Sequence, residues 1–224
     1  MTSQEAKELV RKTFKRIKNS KSISEIDEIL TWASISKNLM SDKSYPKIEF
    51  KIEKWEIEEL KSKSILKKDN SISPDVWRMP MDALTKLLYA LSWKNGDLTK
   101  ISHIVEGIIS GESRERKTGL VFYQFGKYLT KKPGEPIVDQ HVLRAFGIYR
   151  LRDLEQVESI RKMAVITKKE EKLIECYKSW KKSSELKDEL KKEIDYSHHI
   201  DKVLFAVGKT IKLNKPTSVK LSII

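Results

Sequence analysis

The 224-residue chain holds one cysteine, Cys176, so it can build neither an internal disulfide nor a thiolate metal site. A reducing, intracellular setting is the expectation. No segment approaches the ~20 apolar residues that span a bilayer, and the start, Met1-Thr2-Ser3-Gln4-Glu5, has no apolar core behind its charges. The chain therefore reads as soluble and cytoplasmic, with no membrane partner. A phosphate loop, a glycine-rich dinucleotide fingerprint, zinc-ligand spacing and a nucleophile elbow are all missing. The pair His198-His199 has no third ligand near it in sequence. No metal and no small-molecule cofactor is expected. Repeats of fixed period and sustained heptads are missing too, which disfavours a solenoid or a long coiled coil.

Acidic residues also fall short, with 32 against 45 basic ones and a formal charge of +13. Such an excess favours a polyanionic partner through its field and through counterion release, although a lysine-rich composition alone gives the same sign. The imbalance is greatest over residues 76–152, with 13 basic against 7 acidic residues. The length suits one domain, or two helical lobes sharing a cleft.

What the chain does have is helical spacing. Leu9, Val10, Phe14 and Ile17 make one amphipathic set, and Ile23, Ile26, Ile29, Leu30 and Ala33 a second, capped at Ser24. Ile48, Phe50 and Ile52 alternate after Tyr45-Pro46, as a short strand or an extended linker. Residues 55–66 read as helix and 67–74 as loop. Ala83, Leu84, Leu87, Leu88 and Leu91 predict a strongly apolar helix closed by Asn95-Gly96. Asp97 opens the next, through Ile101, Ile104, Val105 and Ile108, and Gly111-Glu112-Ser113 breaks it. The following helix runs over 115–129, with Leu120, Val121, Phe122 and Phe125 as its buried set. Asp139 is placed to cap a helix whose apolar set is Val142, Leu143, Phe146 and Ile148. Two or three more helices fill 153–213, the last carrying Ile200, Val203, Leu204, Phe205 and Val207. The fold class is all-α.

The segment from Arg116 to Gly147 carries the chemistry. It sets an amine, Lys117, and a carboxylate, Asp139, on either side of a helix and a turn. The run Pro136-Ile137-Val138-Asp139-Gln140-His141-Val142 resembles the proline-valine-aspartate-x-histidine-valine signature of the helix-hairpin-helix DNA glycosylases. Lys117 stands where their lysine begins the second hairpin helix. Glu115-Arg116-Lys117-Thr118-Gly119-Leu120-Val121-Phe122 is similar to the lysine-threonine segment of the archaeal 8-oxoguanine glycosylases, and Val203-Leu204-Phe205 resembles the valine-leucine-phenylalanine of the same branch. Where most members have a leucine-proline-glycine-x-glycine turn, this chain has Ile109-Ser110-Gly111-Glu112-Ser113, with Arg114 and Arg116 following as point charges for a DNA phosphate. The resemblance is concentrated over about 97–150.

A lysine in the first turn of a helix lies near the positive end of the dipole, and partial desolvation leaves more of it as free amine to act as nucleophile. The resemblance implies that a damaged nucleotide is extruded from double-stranded DNA and that Lys117 attacks its sugar C1′. The Schiff base so formed permits strand cleavage by β-elimination. Asp139 would stabilise the cationic sugar and assist proton transfer. Phe205 would stack on the flipped base, with Asp201 one turn earlier accepting from a purine edge and Trp93 a further base-pocket candidate. Arg114, Arg116, Lys127, His141 and Arg144 would contact DNA.

The expectation is an all-α glycosylase-like fold over 1–224, two helical lobes with a cleft between them. It would act, as a monomer at the nucleoid, as a base-excision glycosylase for an oxidised purine, 8-oxoguanine first, with AP-lyase activity. The alternatives are a non-catalytic nucleic-acid-binding protein of the same fold and a helical interaction protein with no nucleic acid partner.

Overall fold

Thr2 and Glu5 begin the first helix reciprocally: the Thr2 side chain accepts from the Glu5 amide, and the Glu5 carboxylate accepts from the Thr2 amide. The computed structural model describes residues 1–110, 119–151 and 153–213. Among these are α1 (Ser3–Asn19), α2 (Ile23–Asp27), α3 (Lys54–Ser62), α4 (Ala83–Lys94), α5 (Leu98–Ile109), α6 (Leu120–Leu129), α7 (Gln140–Arg150), α8 (Leu154–Arg161), α9 (Glu171–Lys182), α10 (Asp188–Lys192) and α11 (Tyr196–Thr210). Short 3-10 turns stand between several of them. The described residues contain no strand beyond one antiparallel bridge, Leu66 to Ile72, across the 67–71 loop. The Ile48–Ile52 stretch is extended and irregular rather than a strand; Ile52 is tied through its amide to the Leu129 carbonyl. The second amphipathic set makes α2 capped by Ser22, not Ser24, and then tightens into a 3-10 turn at Glu28–Thr31. No helix among the described residues is long and apolar enough to cross a membrane.

The chain forms two compact units. The first comprises Met1–Pro46, Asp139–Ile166 and Lys172–Ile224. Its core is aromatic. Phe14 of α1 stacks on Tyr149 of α7 with centroids 3.9 Å apart, and Phe146, Tyr177 and Trp180 close around them. Val142, Leu143, Phe146 and Ile148 are all buried, as the spacing requires. α7 and α11 cross at backbone contact, because a Cβ at Gly208 would lie 1.8 Å from the His141 carbonyl oxygen.

The second unit comprises Lys47–Val138 and Thr167–Glu171. Ile57, Leu66, Val105 and Ile108 form its core, with Ile52, Leu60, Ile72, Ile101 and Ile104 around them. α5 and α6 pack against each other at backbone contact. A Cβ at Gly107 would meet the Tyr123 carbonyl at 2.0 Å, and one at Gly126 the Ile104 carbonyl at 2.0 Å. This crossing sets the phase of α6: Leu120, Tyr123, Gln124, Tyr128 and Leu129 are buried, whereas Val121, Phe122 and Phe125, expected inside, are half-buried. Leu84, Leu87, Leu88 and Leu91 of α4 are 55–69% exposed, because only Tyr89 and Ser92 of that helix are partly covered.

Candidate functional site

Gln124, buried on α6, donates to the Glu135 carboxylate at 2.8 Å and to the Pro136 carbonyl at 3.3 Å, which anchors the approach to Asp139. Val138 is buried, and Asp139 follows with extended backbone as the N-cap of α7. Its Oδ1 accepts from the His141 amide at 2.6 Å and the Val142 amide at 3.1 Å. That satisfies two of the donors a helix start leaves open, worth about 1 kcal/mol, and sets the carboxylate at the positive end of the dipole. Among the described residues Oδ2 has no hydrogen-bond partner. Asp139 is half-buried, and one of its oxygens holds the helix start.

His141 is also half-buried and meets the Phe205 ring of α11 edge-on, with centroids 4.9 Å apart. Phe205 is half-buried while Val203 and Leu204 beside it are core, and the Lys209 ammonium stands 5.8 Å from the Phe205 centroid. Burial holds the His141 imidazole below its ordinary range; Asp139 opposes this, and Arg144 and Lys212 add to it. Asp139, His141 and Phe205 thus share one face of the first unit, where α7 begins against α11.

Two other expected residues have different roles. Arg144 does not reach out to DNA. It is fully buried, and its guanidinium donates to the Gly208 carbonyl at 2.8 Å, to the Met163 carbonyl and to His141 Nδ1 at 2.7 Å. Nor is Asp201 a surface acceptor for a purine edge. Its Oδ1 accepts from Tyr177 Oη and Lys181 Nζ, each at 2.5 Å, inside the first unit, and Lys181 also donates to Ser197. Desolvation and the Asp201 charge raise the Tyr177 hydroxyl well above its usual range, so it stays a donor. Tyr177 and Lys181 are the partners that sequence reasoning missed. No local signal gave them, because Tyr177 and Lys181 lie on α9 and Asp201 on α11.

Trp93 is exposed on α4 and Lys127 stands 5.4 Å from the Tyr123 ring on α6; both belong to the second unit. Lys117, Arg114 and Arg116 lie outside the described residues. Comparison with protein-family models, with curated proteins and with solved structures finds no match for this chain. Among the described residues no group of three or more His, Cys, Asp or Glu side chains is arranged to hold a metal ion. His199 pairs instead with Asp27, at 2.8 Å.

Proposed function

We propose that the chain is a DNA base-excision glycosylase that removes an oxidised purine, 8-oxoguanine being the first substrate to try, with strand nicking through a lysine Schiff base. The observation that carries the reading is the arrangement of Asp139. Its carboxylate caps α7 through one oxygen, the other has no hydrogen-bond partner among the described residues, and His141 two residues on meets an aromatic ring, Phe205, suited to stacking on a base. The close packing of α5 on α6 through Gly107 and Gly126 is compatible with the reading.

In this mechanism the Lys117 amine forms a bond to C1′ as the bond from C1′ to the damaged base breaks. The base leaves with the electron pair and takes up a proton. The C1′–O4′ bond then breaks, O4′ taking up a proton as a hydroxyl, which leaves a protonated C1′=N Schiff base; loss of its C2′ proton expels the 3′ phosphate. Asp139 stabilises the cationic sugar during the first step. Extruding the nucleotide costs a few kcal/mol, which stacking in the pocket offsets.

The test is borohydride trapping on a duplex with one 8-oxoguanine, beside an undamaged duplex and the Lys117→Gln variant. A covalent adduct that needs both lesion and Lys117 is expected. Adduct formation undiminished in Lys117→Gln would overturn the nucleophile. Salt-sensitive DNA binding with no adduct and no base release would leave the non-catalytic reading. Asp139→Asn keeps the cap but not the charge, so it is expected to fold normally and react slowly.

A further inference from the structure

Arg144 is a buried cation with no carboxylate in salt-bridge contact among the described residues. Its donors go to the carbonyl of Gly208 on α11, to the carbonyl of Met163 after α8, and to His141 Nδ1 on its own helix, while Nε has no partner among the described residues. A guanidinium has no acceptor and does not deprotonate in a folded protein. Across the 2.7 Å contact, the imidazole nitrogen must therefore be the acceptor. We propose that Arg144 is a positioning residue that holds His141 neutral, as the Nε2–H tautomer, and seats the start of α7 on α11. His141 then has a single ring donor, Nε2–H, on the face it shares with Asp139 and Phe205.

The groups facing the ring set the balance. Burial disfavours a charged imidazole most, Asp139 favours it, and Arg144 and Lys212 disfavour it. The Gly208 carbonyl also favours it, and so offers the one competing arrangement, an Nδ1–H donated to that carbonyl. This would set two donors, Nδ1–H and Nη1–H, against each other at 2.7 Å, an arrangement the fork of Arg144 opposes. Burial in the α7–α11 contact acts in the same direction as Arg144. The inference stands on that contact and needs no DNA, so it survives failure of the glycosylase reading.

The experiment is nitrogen NMR of the histidine side chains in the whole protein across pH, with His141→Gln identifying the His141 signals among the four histidines. At neutral pH an unprotonated Nδ1 and a protonated Nε2 are expected, titrating below the ordinary ~6.5. An Nδ1–H tautomer, or a charged ring at neutral pH, overturns the proposal. Arg144→Lys keeps the charge and loses the fork, and Arg144→Met loses both. Both should mix the tautomers, and Arg144→Met should also raise the midpoint. Unchanged tautomer and midpoint in a folded Arg144→Met would equally overturn it. If neither variant folds, the wild-type tautomer alone decides.

Discussion

Gly208→Ala tests the contact on which the face of Asp139, His141 and Phe205 depends. The added methyl would lie 1.8 Å from the His141 carbonyl oxygen, 2.5 Å from its carbon and 2.9 Å from its Cα. All three are backbone atoms, so no side chain can swing aside, and α7 and α11 must part by more than about 1 Å. Overpacking of this kind costs about 1–3 kcal/mol. The bond from Arg144 to the Gly208 carbonyl is stretched as well, and hydrogen bonds to charged groups are worth about 1.5–3 kcal/mol. Alanine recovers about 1 kcal/mol of helix propensity. The net loss is about 1.5–5 kcal/mol, or roughly 3–20 °C in Tm for a chain of this length. Thermal and urea unfolding followed by circular dichroism measure it, with Gly96→Ala as control. Gly96 has a φ of 69° and nothing within 4 Å of its added Cβ, so alanine there suffers only backbone strain of about 1–2 kcal/mol. A Gly208→Ala protein as stable as wild type would refute the close crossing.

Lys181→Met leaves the Asp201 carboxylate buried beside Tyr177 without its cation and should cost about 3–5 kcal/mol by urea unfolding, with much of that returning in a Lys181→Met, Asp201→Leu double variant. Single-variant stability equal to wild type would show the pair is not buried. Leu87→Gln, on the open stripe of α4, should change stability by no more than about 0.5 kcal/mol while lowering hydrophobic-dye binding. A loss above 2 kcal/mol would mean that face is covered. Because the His141 pKa is depressed in the folded chain, the unfolded chain binds the proton first. The contribution of neutral His141 is therefore complete above about 6.5 and declines as pH falls from there to the folded pKa. Urea midpoints measured downward from pH 7 should fall less steeply in His141→Gln.

Helix positions were legible because local signals set them. Asp139 caps α7 and the Asn95-Gly96 stop closes α4, whereas Asp97 begins α5 without a side-chain cap bond, and the apolar positions read for α7 are all buried. Phase was legible only where side chains decide it. In α6 the crossing of Gly107 and Gly126 turns Tyr123 and Gln124 inward in place of Phe122 and Phe125, and two glycines far apart in sequence give no periodic signal. The leucines of α4 mark a stripe but do not say what covers it. In the candidate site, the capping role of Asp139 could be read from type and position. The burial of Arg144 and Asp201 could not, since their partners lie on other elements: Gly208 and Met163 for one, Tyr177 and Lys181 for the other.

The buried Lys181 has a practical consequence. Amine reagents attack lysines that solvent reaches, and this chain offers many, whereas Lys181 has no exposed surface and its ammonium is engaged by Ser197 and Asp201. Its acetylation by a small reagent, read by mass spectrometry, therefore reports the opening of α9 from α11 and ignores surface fluctuation. One residue of a common type becomes a built-in gauge of how often the first unit comes apart.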